Sequence, residues 1–188
     1  VPNVSWNWLH QYAGKWIRWL DETTRVETEK NSAVINNEAA ETEFSIGRFA
    51  FAANDLKEGD VLRARYLVFQ TGYSTGTLQY RLRFGPTATT PASNRNLAGM
   101  LQPSNVATGV YYDVAVNLQV LTVGGGAQVR GTVTYRSTES TQESSIEVVT
   151  VNVDTTVANT LSLTIDFSAA TLLNGAELRN AQLEKLRV

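Results

Sequence analysis

Cysteine is absent from this chain of 188 residues, histidine and methionine occur once each, and there are four prolines. Without cysteine there is no disulfide framework, no thiolate metal site and no cysteine nucleophile. Small extracellular cellular domains usually carry disulfides, which argues against a cell-surface receptor module. Zinc sites draw on several His or Cys ligands, and a single imidazole does not supply them. Charge is scarce too: charged residues make up 18% of the chain, against about 25% in ordinary soluble domains, and the net charge is −2. No basic run points to nucleic acid, and no acidic tail points to a basic partner. No apolar stretch reaches the ~20 residues needed to cross a bilayer, so no membrane insertion is expected. The N-terminus lacks the basic segment and small-residue cleavage site of a signal peptide.

What is present divides into two unlike parts. All four tryptophans and the lone His10 fall in the first twenty-odd residues. There Val4, Trp8, Tyr12, Trp16 and Leu20 repeat at four-residue spacing, with Leu9, Ala13 and Ile17 on the same side. That spacing predicts one amphipathic helix over 1–22 with a wide apolar face, and a lone helix of this length must bury such a face against something. Trp8, Tyr12, Trp16, Ile17 and Leu20 are its expected docking or oligomer contacts. Residues 23–43 are polar and without lasting period, which reads as a tether or stalk, or else as a loop lying along a surface.

Residues 44–188 read as a β head. Leu62, Ala64, Tyr66 and Val68 alternate with Arg63 and Arg65, and Leu78, Tyr80, Leu82 and Phe84 alternate with Gln79, Arg81 and Arg83. Tyr112 to Val120, Val129 to Tyr135, Val149 to Val153, Leu161 to Phe167 and Ala176 to Val188 continue the pattern, with a glycine turn at Gly124 to Gly126. A one-residue slip around Gly47 suggests a bulge. Residues 85–100 read as an excursion from the sheet. About eight antiparallel strands predict a mainly β fold, an antiparallel β-sandwich that is jelly-roll-like, with one N-terminal helix; a closed barrel is the next choice.

Chemistry-bearing constellations are sparse. His10 is remote in sequence from every serine of the β head, so no nucleophile–base arrangement is indicated. Asp55, Glu58 and Asp60 crowd one turn, Glu139 and Glu143 another, and Asp154 precedes Thr155-Thr156; acids in turns ordinarily bond the local backbone. A glycan hydrolase or esterase using Asp60 or Asp154 is the enzymatic alternative. No catalytic residue, cofactor or metal site is expected. Arg63, Arg65, Arg81 and Arg83 form a basic ladder for an acidic glycan if their strands pair, or else a set of cross-strand ion pairs. Tyr73, Tyr111 and Tyr112 are candidates for stacking on sugars. Loops between rigid strands vary freely, so the receptor-facing candidates are Tyr73 and Ser74 in one loop and Asn94, Arg95 and Asn96 in another.

Two parts of the chain resemble a known family. Pro2, Asn7-Trp8-Leu9 and Gly14-Lys15-Trp16-Ile17-Arg18-Trp19-Leu20-Asp21 are similar to a motif of tailed-bacteriophage fibre and head-fibre proteins. Leu56-x-x-Gly59-Asp60-Val61-Leu62-Arg63, Leu78-x-Tyr80-x-Leu82-x-Phe84-Gly85 and Val151-x-Val153-Asp154-Thr155-Thr156 with Asn159-x-Leu161 are similar to the distal heads of such proteins. The resemblance implies a non-enzymatic protein of the virion surface, assembled in the bacterial host cytoplasm: a homotrimer that docks through its helix on capsid or tail proteins and meets a host surface glycan or protein with its head. The long repetitive shaft of most tail fibres is missing, which leaves a short fibre, a spike or a stabilising decoration protein. A carbohydrate-binding module of cellular origin is the alternative from another class.

Overall fold

The computed structural model describes residues 24–29, 33–36, 40–73, 77–87, 96–101, 108–137, 145–168 and 174–187. The expected N-terminal helix, with Trp8, Tyr12, Trp16, Ile17 and Leu20, lies outside the described residues. Those described form twelve strands: β1 (Thr24–Glu29), β2 (Ala33–Asn36), β3 (Thr42–Glu43), β4 (Phe49–Phe51), β5 (Val61–Gly72), β6 (Leu78–Pro86), β7 (Asn96–Leu101), β8 (Tyr111–Val120), β9 (Ala127–Ser137), β10 (Ser145–Val153), β11 (Asn159–Phe167) and β12 (Gly175–Leu186). No helix occurs among them.

The strands make two antiparallel sheets. The larger runs β1-β12-β5-β8-β9-β10, with β2 on the same side of β12 as β1; the smaller runs β3-β11-β6-β7, with β4 also on β11. Period-2 alternation accounts for the layering. In β5, Leu62, Ala64, Tyr66 and Val68 point inward and Arg63 and Arg65 outward, and in β8 every second residue from Tyr112 to Val120 is buried. Between the sheets lie Phe44, Phe49, Phe51, Phe84 and Phe167 together with Tyr66, Tyr80 and Tyr112, all essentially without solvent contact. Each such side chain contributes about 1.5–3 kcal/mol by leaving water. On one flank β7 and β10 approach each other, and Asn96 Nδ2 donates to the Asn152 carbonyl, joining the two sheets.

Several expectations need correction. Residues 23–43, read as a tether, contain β1, β2 and β3, which extend both sheets along one flank. These edge segments are short and mostly polar, so little in the sequence marks them as strands, although in β2 Ala33 and Ile35 are buried while Val34 and Asn36 face solvent. The excursion read over 85–100 contains the start of β7, which pairs with β6. Near Gly47 the chain passes between β3 and β4 with a positive φ of 69°, and a Cβ there would crowd Ala181, Leu178 and Tyr66. The register shifts assigned in the described sheets lie instead in the β12–β5 and β6–β7 pairs.

The registers define two ends. Thr24 pairs with Leu186, and the connections 52–60, 121–126 and 154–158 lie at that base end. The opposite tip end carries the connections after Gly72, Leu101, Ser137 and Phe167. β5, twelve residues long, spans roughly 40 Å between them.

Candidate functional site

The base end is stitched by polar groups drawn from distant parts of the chain. Asp60 is fully buried; its Oδ2 accepts the Lys57 N–H at 2.9 Å and its Oδ1 lies 3.5 Å from Arg187 Nε. Lys185 Nζ donates to Asp55 Oδ1 at 2.7 Å. The Gly124 N–H donates to Thr155 Oγ1 at 2.7 Å, and the Asn54 N–H to the Thr155 carbonyl at 2.8 Å. Asp154 Oδ1 accepts the N–H and hydroxyl of Thr156, and these bonds hold its pKa below the ordinary 3.8. Asp60 and Asp154, the residues of the enzymatic alternative, are therefore occupied in turn architecture. Two of the segments that carry the phage resemblance, Leu56 to Arg63 and Val151 to Leu161, meet in this end.

The two receptor-loop candidates separate. Tyr73 follows β5 at the tip, where its N–H donates to Thr108 Oγ1 at 3.1 Å. Asn96 opens β7 near the base end, its amide committed to β10. Ser74, Asn94 and Arg95 lie outside the described residues. The basic ladder does not exist as one unit, because β5 and β6 belong to different sheets. Arg63 and Arg65 face outward from the larger sheet, 3.5 Å from Glu184 and 2.5 Å from Asp113 respectively. Arg81 and Arg83 belong to the smaller sheet, where both donate to Glu41 at 2.6 Å. All four meet acids: Arg63, Arg65 and Arg81 pair with carboxylates of neighbouring strands, and Arg83 with Glu41 just before β3.

At the tip end of the larger sheet's outer face, one cross-strand row runs Val34, Glu177, Phe69 and Tyr111. Directly opposed residues share a face, so these four side chains stand together. Val34 is 54% exposed. Between Leu178 and Asn180 the register shifts, leaving Arg179 as the extra residue of a bulge. Bulges re-aim side chains, and here the guanidinium carbon lies 4.0 Å from the Phe69 ring centroid and 5.2 Å from that of Tyr111. Arg179 Nε donates to Glu177 Oε2 at 2.9 Å and Nη1 donates to the Tyr111 hydroxyl. The hydrogen bond to Glu177 leads the interactions that raise its pKa above the ordinary arginine value, so Arg179 is a fixed cation on an aromatic bed.

The three tyrosines proposed for sugar stacking thus have different places. Tyr111 is in the platform and Tyr73 leads out of the adjoining strand. Tyr112 is core, its ring 5.7 Å from Tyr80 and 5.2 Å from Tyr135. Burial, with Tyr112 and Tyr135 beside it, pushes the Tyr80 phenol well above 10.0. Phe69, Glu177 and Arg179 were missed in the sequence. The one available signal was a phenylalanine on the outward side of an alternating strand, and nothing local announces the bulge that brings Arg179 over it. Among the described residues, no group of three or more His, Cys, Asp or Glu is placed to hold a metal ion.

No protein-family model matches the chain, and no curated protein does. Among solved structures, lectin UEA-II complexed with galactose aligns over 87% of this chain and 86% of its own, with a TM-score of 0.45 and 7% identity. Lectin I-B4 from Griffonia simplicifolia, in a metal-free form, covers 88% of this chain and 94% of its own at TM-score 0.38 and 8% identity. A structure of infectious bursal disease virus, Gx strain, covers 87% of this chain and 37% of its own at TM-score 0.24 and 11% identity. Scores of this size establish neither a common family nor a common ligand.

Proposed function

We propose that this chain is a structural attachment protein of a tailed-bacteriophage virion: a homotrimeric short fibre or spike with a jelly-roll-like head. In this reading the N-terminal segment 1–22 is an amphipathic helix that docks on capsid or tail proteins and on its symmetry mates. The observation that carries the reading is the polarity of the head. The chain enters at the base end, where Thr24 lies beside Leu186. The aromatic–guanidinium platform of Phe69, Tyr111 and Arg179 lies at the opposite end, where β2, β5, β7, β9 and β11 end. A head attached at one end and furnished for contact at the other has the layout an attachment protein needs. The phage-like segments at the N-terminus and in the base support the same assignment. A decoration protein without receptor role shares this layout and leaves the tip idle.

One feature favours a second reading, a carbohydrate-binding module. Outward aromatic rings beside a cation are the chemistry that stacks on sugar rings and bonds their hydroxyls. Light scattering on the full chain separates the two. A trimer that is lost in the Trp8→Ala/Trp16→Ala double variant, with the head still folded, is the expected result. A monomer at tens of micromolar overturns the fibre reading and puts the carbohydrate-binding module first.

A further inference from the structure

A second feature of the larger sheet's outer face lies nearer the base, about six residues along β5 from Phe69, or roughly 20 Å. There one cross-strand row runs Glu184, Arg63, Asn117 and Thr132, and the next runs Val61, Gln119, Arg130 and Thr150. Between them is a shallow depression of about 330 Å³ lined by Val61, Arg63, Asn117, Gln119, Arg130 and Thr132, with Gly131 in its floor. A Cβ at Gly131 would collide with the Asn117 carbonyl oxygen and crowd the Leu118 Cα. Only glycine permits this approach of the β9 backbone to β8. On the far side of Arg63 a second depression of about 270 Å³ continues across β5 and β12, lined by Arg65, Gln182 and Glu184. The two share Arg63 and together trace a shallow trough across the strands, whose second part carries the Glu184 carboxylate beside Arg63 and Arg65.

The lining of the Gly131 depression is consistent in its chemistry. It offers two guanidinium groups, two side-chain amides and a hydroxyl, and no carboxylate. The Arg130 side chain is exposed and makes no hydrogen bond or ion pair with another of the described residues. Arg63 is 55% exposed, and its contact with Glu184 is long at 3.5 Å. This contrasts with Arg65, Arg81, Arg83 and Arg179, each held by a carboxylate within 3 Å. A positive, hydroxyl-matching surface without a stacking ring suits a ligand that is anionic and hydroxyl-rich along its length. Shallow trough walls suit a linear chain better than a compact molecule.

We propose that this trough binds an acidic polysaccharide, with Arg130 and Arg63 meeting the anionic groups and Asn117, Gln119 and Thr132 meeting the hydroxyls. The site is separate from the tip platform and does not depend on which particle or cell carries the head. An open site of this kind binds weakly per copy, on the order of millimolar, and several copies in an oligomer raise the apparent affinity.

The test is calorimetric titration of the full chain with oligogalacturonate, a carboxylate-bearing probe, and with polyglycerol phosphate, a phosphate-bearing one. A neutral maltooligosaccharide serves as control, and amide shifts are mapped by NMR. The expected result is binding of one or both anionic probes and none of the control, with shifts centred on Asn117, Gln119, Arg130 and Thr132. Which anionic probe binds tells a uronate polymer from a phosphate one. Arg130→Ala should weaken binding by about tenfold or more, the scale of a lost charge-assisted hydrogen bond, and Gln119→Ala by less. Tyr111→Ala, at the tip, should leave it unchanged. Equal binding of the neutral probe, shifts centred on the tip, or wild-type affinity in Arg130→Ala would overturn the proposal. A change of solution mass in Arg130→Ala would overturn it as well, because the trough would then be a subunit contact.

Discussion

Asp60 and Asp154 are both turn acids in the sequence, and only burial separates them. Asp60 has no solvent contact, and its two oxygens face the Lys57 amide and the Arg187 guanidinium. Replacing it with Ala leaves both donors facing an apolar gap, so Asp60→Ala should cost about 3 kcal/mol, seen as a lower urea midpoint at unchanged slope. Asp60→Asn, which keeps an acceptor for Lys57, should recover part of that loss. If Asp60→Ala unfolds at the wild-type midpoint, the base end is not held in this way. The Asp154 side chain bonds only Thr156 among the described residues, and its carbonyl would still accept the Asn159 amide, so replacing it should move the midpoint little. Turn composition shows in a sequence, but which turn is buried depends on what the other sheet lays over it. Arg179 makes the same point: its neighbours in sequence are unremarkable, and its role comes from a one-residue register shift.

At the scale of the element, Glu41 holds the segment before β3 against the smaller sheet. Its carboxylate accepts from Arg83 Nε at 2.8 Å, Arg81 Nη1 at 2.6 Å and Thr164 Oγ1 at 2.6 Å. Burial pulls its pKa up, but the hydrogen bonds of Arg83, Thr164 and Arg81 outweigh burial and hold it below 4.5. A carboxylate whose folded pKa is depressed contributes its stability above the unfolded value and loses it as pH falls through the folded one. The urea midpoint should therefore drop as pH is lowered below 4.5, and Glu41→Gln should flatten that part of the profile. An identical acid limb in Glu41→Gln would show that other carboxylates set it. The strands from β5 to β12, β7 apart, were legible because both faces speak: inward residues are apolar and outward ones polar over nine or more residues. β1, β2 and β3 were not, because short edge strands made mostly of polar residues have the composition of a tether.

For the whole molecule, the pairing of β1 and β2 with β12 decides where the head can be cut. A chain starting at Thr24 keeps both edge strands and should remain soluble and folded. One starting at Glu43 strips them away and exposes the β12 edge from Gly175, the partner of Asn36, to Leu186, the partner of Thr24. Unpaired edges recruit other chains, so the shorter form should aggregate or lose its cooperative transition on heating. Equal melting of the two forms would mean that β1 and β2 add nothing to the sheet. The sequence by itself determined the β class, the alternation of the main strands, the turns at Asn54 to Asp60 and Gly124 to Gly126, and the pairing of arginines with acids. All of these rest on side-chain period and local backbone chemistry. Only the tertiary structure decided that β5 and β6 lie in different sheets, that Tyr111 faces water while Tyr112 is core, and that Arg179 lies over Phe69. It alone brought Arg63, Asn117, Gln119 and Arg130 into one trough. Such placements depend on strand register and sheet order, which are set by contacts between residues far apart in the chain and leave no periodic trace within any one segment.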